Sequence, residues 1–360
     1  MTDQAPLDRA RPVRAGEELP LEPLTLWLLE KLPELRAPFT VEQFAKGYSN
    51  LTYLVIDSAG RELVLRRPPR GSKVKSAHDM GREVRVLSAL APLSSQFGKA
   101  PRPLAQCDDE SVIGVPFYVM DRLRGTILRG PTPPVPIPPE EKRAIDSALV
   151  DTLVALHALD VRAPALAALG KPEGYVERQV SGWTRRYADA KTDDVPEIEE
   201  AARWLAAHLP RESGAALIHN DFKFDNVVLS SQNLTQVLGV LDWEMATVGD
   251  PLLDLGTALA YWVEEGDRDE LRTFAFGPTY LPGSFTRREF AQAYALKSGR
   301  DVGDLSFYLS FALFKNAVVA QQIYARYKAG LTQDERFAML GYWVKLLAEE
   351  SLRVSAQGHI

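Results

Sequence analysis

The sequence predicts an α+β chain in two lobes: a small antiparallel β lobe carrying one helix, then a larger, mainly helical lobe. Three observations predict it. Between Thr40 and Met120 the apolar residues fall in short β-prone runs broken by turn chemistry. Residues 125–139 then hold six prolines (Pro131, Pro133, Pro134, Pro136, Pro138 and Pro139), which neither a helix interior nor a central strand tolerates. Beyond them, apolar residues recur at helical spacing almost to the end of the chain.

Each element follows from its residues. Residues 1–20 are polar, charged and rich in proline, and are expected to form a flexible N-terminal arm. Leu21–Leu35 has helical apolar spacing at Leu24, Leu26, Leu28, Leu29 and Leu32. Val41–Lys46, Leu51–Ile56 and Glu62–Arg66 read as strands; Asp57-Ser58-Ala59-Gly60 between the last two is a hairpin signal. Ser76–Leu90 reads as the helix of this lobe, and Val112–Met120 as a further strand. The proline segment reads as a loop leaving the interlobe hinge. Helices are then expected over Glu140–Leu159, Tyr175–Ala188, Pro196–His208, Pro251–Trp262, Arg287–Leu296, Leu305–Tyr327 and Gln333–Val354. Short strands at Val227–Leu229 and Gln236–Leu241 flank a Ser-Ser-Gln-Asn turn. The resulting divisions are the arm (1–20), an N-lobe for nucleotide binding (21–123) and a C-lobe with the catalytic loop and acceptor site (124–360). A β lobe followed by an α lobe is the protein-kinase-like layout.

Bulk properties exclude several function classes. The 360 residues suffice for two lobes and a large core, and 46% hydrophobic with 25% charged residues is ordinary for a globular protein. A net charge of −6 points to no nucleic-acid partner and no anionic membrane surface. Cys107 is the single cysteine, which excludes an intrachain disulfide and fits a reducing compartment. No pair among His78, His157, His208, His219 and His359 has zinc-ligand spacing. No signal-peptide core and no apolar run of about 18 residues is present. A cytoplasmic monomer or homodimer is the expectation.

The chemistry concentrates between Ile218 and Gly256. His219-x-Asp221-x-x-x-x-Asn226 is followed by Leu241-Asp242-Trp243-Glu244 and by Gly249-Asp250-Pro251-Leu252-Leu253-Asp254. That order suits phosphoryl transfer: one carboxylate faces the acceptor hydroxyl, while an amide and a second carboxylate hold Mg²⁺ on ATP. Asp221 is the candidate base, and Asn226, five positions on, the first metal ligand. Asp242 is the lead metal ligand, since a hard cation on ATP prefers carboxylate oxygen. Glu244 is a further ligand or supports one. Lys223 can neutralise γ-phosphate charge. Any one of these acids alone is equally a cap or a solvated turn; the ordered set is not. Asp250, just before Pro251, reads as a helix cap. Asp254 reads as either a cap or a brace for the catalytic-loop backbone.

Candidate nucleotide contacts lie upstream. Lys46-Gly47-Tyr48-Ser49-Asn50 could cover phosphates through its N–H groups, with Ser49 and Asn50 its polar residues, although most such stretches are plain turns. Arg66 ends a strand where kinases place a phosphate-contacting lysine, and Glu83 in the next helix is its natural partner. An exposed cluster with Arg67 and Arg70 is the competing reading. Met120, Asp121 and Leu123 fall where a hinge would meet adenine; core packing accounts equally well for Met120 and Leu123.

Taken together, these residues resemble the aminoglycoside phosphotransferase and choline kinase-like family, which has a protein-kinase-like fold. The resemblance runs from about Phe44 to the C-terminus and is most specific over Leu217–Leu255. Tyr48-Ser49-Asn50-Leu51-Thr52, Val64-Leu65-Arg66-Arg67-Pro68-Pro69, Ser76–Glu83 and Phe222 resemble the branch associated with acyl-CoA dehydrogenases. The resemblance implies transfer from ATP·Mg²⁺ to a small-molecule hydroxyl, with Asp221 as base and Asn226 and Asp242 on magnesium. Asn220 departs from the usual glycine, and Arg66 from the lysine of better-known members.

The acceptor is less legible. A polycationic aminoglycoside calls for an acidic site, yet acidic and basic residues balance over 255–360. On Leu305–Tyr327, Phe307, Phe311 and Phe314 share a core face. A stripe of Tyr308, Lys315, Gln322 and Arg326 is either solvated or a wall for an anionic or acyl-bearing acceptor. The branch resemblance implies a hydroxyacid or hydroxyacyl-CoA. Alternatives are an aminoglycoside or choline-type kinase, an inactive nucleotide-binding regulator, and a protein kinase. Only a short span separates Asp242 from Gly249, which leaves no room for a long activation loop.

Overall fold

The computed structural model describes residues 5–44, 50–69, 80–332 and 335–360. In chain order the elements begin with α1 (Leu21–Lys31), β1 (Thr40–Gln43), β2 (Leu51–Ile56), β3 (Glu62–Arg67), α2 (Met80–Leu90), β4 (Pro103–Cys107) and β5 (Phe117–Asp121). They continue with α3 (Pro139–His157), α4 (Pro164–Ala167), α5 (Tyr175–Ala190), α6 (Pro196–Ala207), β6 (Ala216–Ile218), β7 (Val227–Leu229), β8 (Val237–Val240) and β9 (Thr247–Gly249). Last come α7 (Pro251–Ala260), α8 (Asp269–Thr273), α9 (Arg287–Ser298), α10 (Ser306–Lys328) and α11 (Leu340–Gln357). The chain forms two compact units. One runs through Leu128 and takes in Asn226–Ala246; the other comprises Arg129–Asp225 and Thr247–Ile360.

The first unit is built on a five-stranded antiparallel sheet of order β1-β2-β3-β5-β4. Strand alternation puts Tyr53, Val55, Leu63, Leu65, Phe117 and Val119 into one core with Trp27 and Leu28 of α1. The Trp27 and Phe117 rings meet edge to face at 4.7 Å. The β2–β3 hairpin closes on Asp57, whose Oδ1 accepts from the N–H groups of Ala59 and Arg61, and on Gly60 at φ 84°. A β7–β8 hairpin completes the unit, bridged to Thr126 through Leu229. Residues 5–20 run along this unit: Ala5 donates to the Ser231 carbonyl, and Arg11 pairs with Gln43.

Differences from the sequence reading arise here, the first being that residues 5–20, expected as a flexible arm, are bonded along the unit. β4 was not anticipated; it is a short edge strand opening on Pro103, a position where proline is tolerated and the usual strand signal is weak. The run expected as Val112–Met120 is a strand only from Phe117. Gly114 at φ 88° and Pro116 keep the residues before it in a turn.

The second unit is mainly helical. Gly256 lets α7 and α10 meet, since a Cβ there would lie 2.6 Å from the Tyr308 backbone. Phe307, Phe311 and Phe314 are buried, as their spacing predicts. The β6–β9 ladder, with Leu217 opposite Val248, sets two motif segments side by side. Asp250 caps α7 by accepting from the Leu252 N–H at 2.8 Å, and Pro251 takes the first helical position. Among the described residues no helix is long and apolar enough to cross a membrane.

Candidate active site

In the second unit, the segment after β6 is held through its backbone. Asp254, fully buried in the first turn of α7, accepts from the N–H groups of His219 at 2.7 Å and Asn220 at 2.6 Å. His157 Nε2 contacts the same carboxylate at 3.0 Å, while its Nδ1 meets the Tyr294 hydroxyl at 2.7 Å. Asp254 thus braces the loop, the second of its two sequence readings. Asn220 has φ 64°, a left-handed conformation that asparagine tolerates better than most residues. Its side-chain amide donates to the Tyr175 hydroxyl at 3.1 Å, and its carbonyl accepts from Lys315 Nζ at 2.7 Å.

Asp221 follows directly. Both of its carboxylate oxygens accept from Lys223 Nζ at 2.8 Å. Burial pushes the Asp221 carboxyl up, but Lys223, with His219 and Lys315, outweighs burial and holds it below the usual aspartate range. The Lys223 ammonium also stands over the rings of Tyr261, at 4.5 Å, and Phe276, at 5.0 Å. A carboxylate kept ionised in this way can accept a hydroxyl proton.

The α10 stripe differs from expectation. Tyr308 and Lys315 are buried, because α10 packs against α5, α7 and α11, and Arg326 reaches solvent only near the helix end. Lys315 braces Asn220 from beneath, and burial pushes its ammonium down to about 8.

In the first unit, charged side chains hold one another. Arg66 Nη1 donates to Glu83 at 2.6 Å and Nη2 to Asp242 at 3.1 Å. Burial opposes the Arg66 charge, but Glu83 and then the neighbouring Asp242 and Glu244 more than offset it. Glu83 also accepts from the Trp243 N–H at 3.1 Å. Arg67 is buried as well, bonded to the Tyr53 hydroxyl at 2.7 Å, so it belongs to no exposed arginine cluster. Asp242 has φ 68°; it and Asn220 are the two non-glycine residues with positive φ among the described residues. Such conformations cost roughly 1–3 kcal/mol and cluster at functional sites.

Asn226 lies beside this turn, its carbonyl accepting from the Leu241 N–H at 2.7 Å. Glu244 accepts from the Asn50 side chain at 2.8 Å. Ser49 lies outside the described residues. Met120 is buried opposite Val64, and Asp121 pairs with Arg102 at 2.9 Å. Leu123 sits on Gly239, where a Cβ would meet it at 2.2 Å.

Asp242 and Glu244 on one turn, and Asn226 just before β7, offer hard oxygen donors, and the Asp242 side chain is 34% exposed. That donor set fits a magnesium ion. Among the described residues no three His, Cys, Asp or Glu side chains converge. A divalent ion here would therefore draw its other ligands from phosphate and water.

Sequence reasoning missed the roles of His157, Tyr261 and Phe276, and it singled out Lys315 without the contact it makes with Asn220. Each meets the loop, or Asp254 that holds it, from far along the chain, and no local pattern announces it.

Comparison with known proteins identifies the family. Residues 40–292 match the model of the phosphotransferase enzyme family. Mouse acyl-CoA dehydrogenase family member 10 is 35% identical over 342 residues, which is 94% of this chain and 31% of that protein. The chain thus spans about a third of that relative's length. The crystal structure of a candidate aminoglycoside phosphotransferase of Ralstonia eutropha is 29% identical, with a TM-score of 0.78 over 94% of this chain and 99% of that one. Choline kinase of Cryptosporidium parvum, 11% identical, shares the fold with a TM-score of 0.63 over 93% of this chain and 95% of its own. The chain therefore belongs to the phosphotransferase enzyme family.

Proposed function

We propose that the chain transfers the γ-phosphoryl group of Mg·ATP to the hydroxyl of an anionic, acyl-bearing small molecule, either a hydroxyacid or its hydroxyacyl-CoA thioester. The observation that carries the reading is Asp221, held ionised beside Lys223 on a loop whose backbone is clamped by Asp254. Asp221 takes the hydroxyl proton as the acceptor oxygen bonds to the γ-phosphorus and the bond to the β-bridging oxygen breaks. Lys223 faces the charge on the transferring group. Arg66, oriented by Glu83, meets the phosphates, with Ser49 and Asn50 covering them. Met120, Asp121 and Leu123 border the adenine. Asn226 and Asp242 hold the metal, with Glu244 as a further or supporting ligand. When bound, magnesium neutralises phosphate charge.

The acyl acceptor is supported by two facts. The mouse relative carries the name of an acyl-CoA dehydrogenase family member and extends well beyond this chain's counterpart. The balanced charge of residues 255–360 gives a polycation no acidic site. Phosphorylating a hydroxyl also turns it into a leaving group for a later elimination.

Mass spectrometry after incubation with Mg·ATP and an acceptor panel tests the proposal. The panel holds 4-hydroxyacyl-CoAs, free hydroxyacids, choline, homoserine, sugars and aminoglycosides. A phosphorylated hydroxyacid or hydroxyacyl-CoA, absent with Asp221→Asn, is expected. Transfer to an aminoglycoside or choline alone would overturn the acyl assignment.

A further inference from the structure

Asp221, Tyr261 and Phe276 enclose a small box in the second unit. The two rings lie 5.2 Å apart and 76° from parallel. A carboxylate beside two aromatic faces is an arrangement that recognises an ammonium ligand. Here the box is filled from within the chain. Lys223 Nζ sits 2.8 Å from both Asp221 oxygens, 4.5 Å from the Tyr261 ring centroid and 5.0 Å from that of Phe276.

The walls are held in place. The Tyr261 hydroxyl donates to Asn316 Oδ1 at 3.3 Å. The segment carrying Phe276 closes on the catalytic loop because Gly277 has no side chain; a Cβ there would lie 2.4 Å from Phe224 Cβ. Phe276 itself is 41% exposed, so the outer wall of the box meets solvent.

We propose that Lys223 is a built-in ammonium that closes this box to cationic acceptors and selects hydroxy compounds whose groups near the hydroxyl are anionic or neutral. An ammonium-bearing acceptor would have to displace Lys223 from Asp221 or sit against a like charge; either arrangement is unfavourable in a partly buried site. A carboxylate beside the hydroxyl instead gains an attraction. The inference deepens the proposed function and rests on its reading of Asp221 as the group that faces the acceptor.

Tetramethylammonium, which has no hydroxyl, is the probe, titrated by calorimetry and NMR into the full chain with Mg·ADP. Lys223→Ala should bind it at least about tenfold more tightly than wild type, and adding Phe276→Leu should abolish that gain. Equal affinity in wild type and Lys223→Ala would overturn the proposal, as would a gain that survives Phe276→Leu. Lys223→Gln, which keeps the side-chain length, serves if the alanine variant does not fold. In the wild type, turnover of 4-hydroxybutyrate against 4-aminobutan-1-ol supplies a second reading. At least about a tenfold preference in kcat/KM for the acid is expected, and a preference for the amine would contradict it. Failure to phosphorylate either compound, with the binding result intact, would count against the acyl acceptor and leave the box standing.

Discussion

The two units hold their functional side chains by different means. In the first, side chain holds side chain: Arg66 forks between Glu83 and Asp242, and the Asn50 amide holds Glu244. In the second, Asp221 and Lys223 pair with each other, but the loop that carries them is held through its backbone: Asp254 grips two loop N–H groups and Lys315 grips the Asn220 carbonyl. The difference fits the ligand each set would meet. Side chains paired with one another can re-pair when a highly charged nucleotide arrives. A carboxylate that must meet one hydroxyl needs a fixed position, and misplacement by about 1 Å can cost on the order of a hundredfold in rate.

The comparison can be broken at several points, of descending effect. Asp221→Asn should lower turnover by on the order of a thousandfold while leaving the chain folded; steady-state kinetics beside thermal unfolding would show it. Asp254→Ala should act on both fold and rate. It strips two buried N–H groups of their acceptor, at about 1–3 kcal/mol each, so urea unfolding should report a large loss of stability. Unchanged stability would mean that the loop is not held by Asp254. On the other side, Arg66→Lys keeps the charge but loses the fork that reaches both carboxylates. Nucleotide affinity should fall by roughly tenfold with little loss of fold, as titration with Mg·ATP would report.

The smallest effect concerns Lys315 and pH. Its folded-state pKa is depressed by burial to about 8, from 10.5 for a free lysine. Between those values the unfolded chain binds more protons than the folded one, so this group makes stability rise with pH across that window. The difference in unfolding free energy between wild type and Lys315→Met should therefore shift toward wild type from pH 8 to 10.5. A difference independent of pH would mean that Lys315 is not a buried ammonium.

The sequence carried the acid-and-amide order well because it is local. Asp221, Asn226 and Asp242 fall in one short window, and the strand and helix that present Arg66 and Glu83 are nearly adjacent. Their pairing could be anticipated from element order, and the side chains do meet. Strand β4 escaped notice because a short edge strand opening on proline has little pattern. The braces escaped for another reason. Lys315 lies 95 residues from Asn220, and His157 lies 97 from Asp254. A lysine on an apolar helix reads as solvated until the packing around α10 is known. Tyr261 and Phe276 likewise look like ordinary core aromatics until the Lys223 ammonium is seen between them.

The division of labour is tested most directly by measuring Mg·ATP affinity and single-turnover rate together in Asp221→Asn and Asp242→Asn. Asp221→Asn should bind Mg·ATP as wild type does and fail to transfer the phosphoryl group. Asp242→Asn should lose both. If Asp221→Asn weakened Mg·ATP binding as much as Asp242→Asn, the assignment of one unit's side chains to the nucleotide and the other's to the acceptor would be wrong.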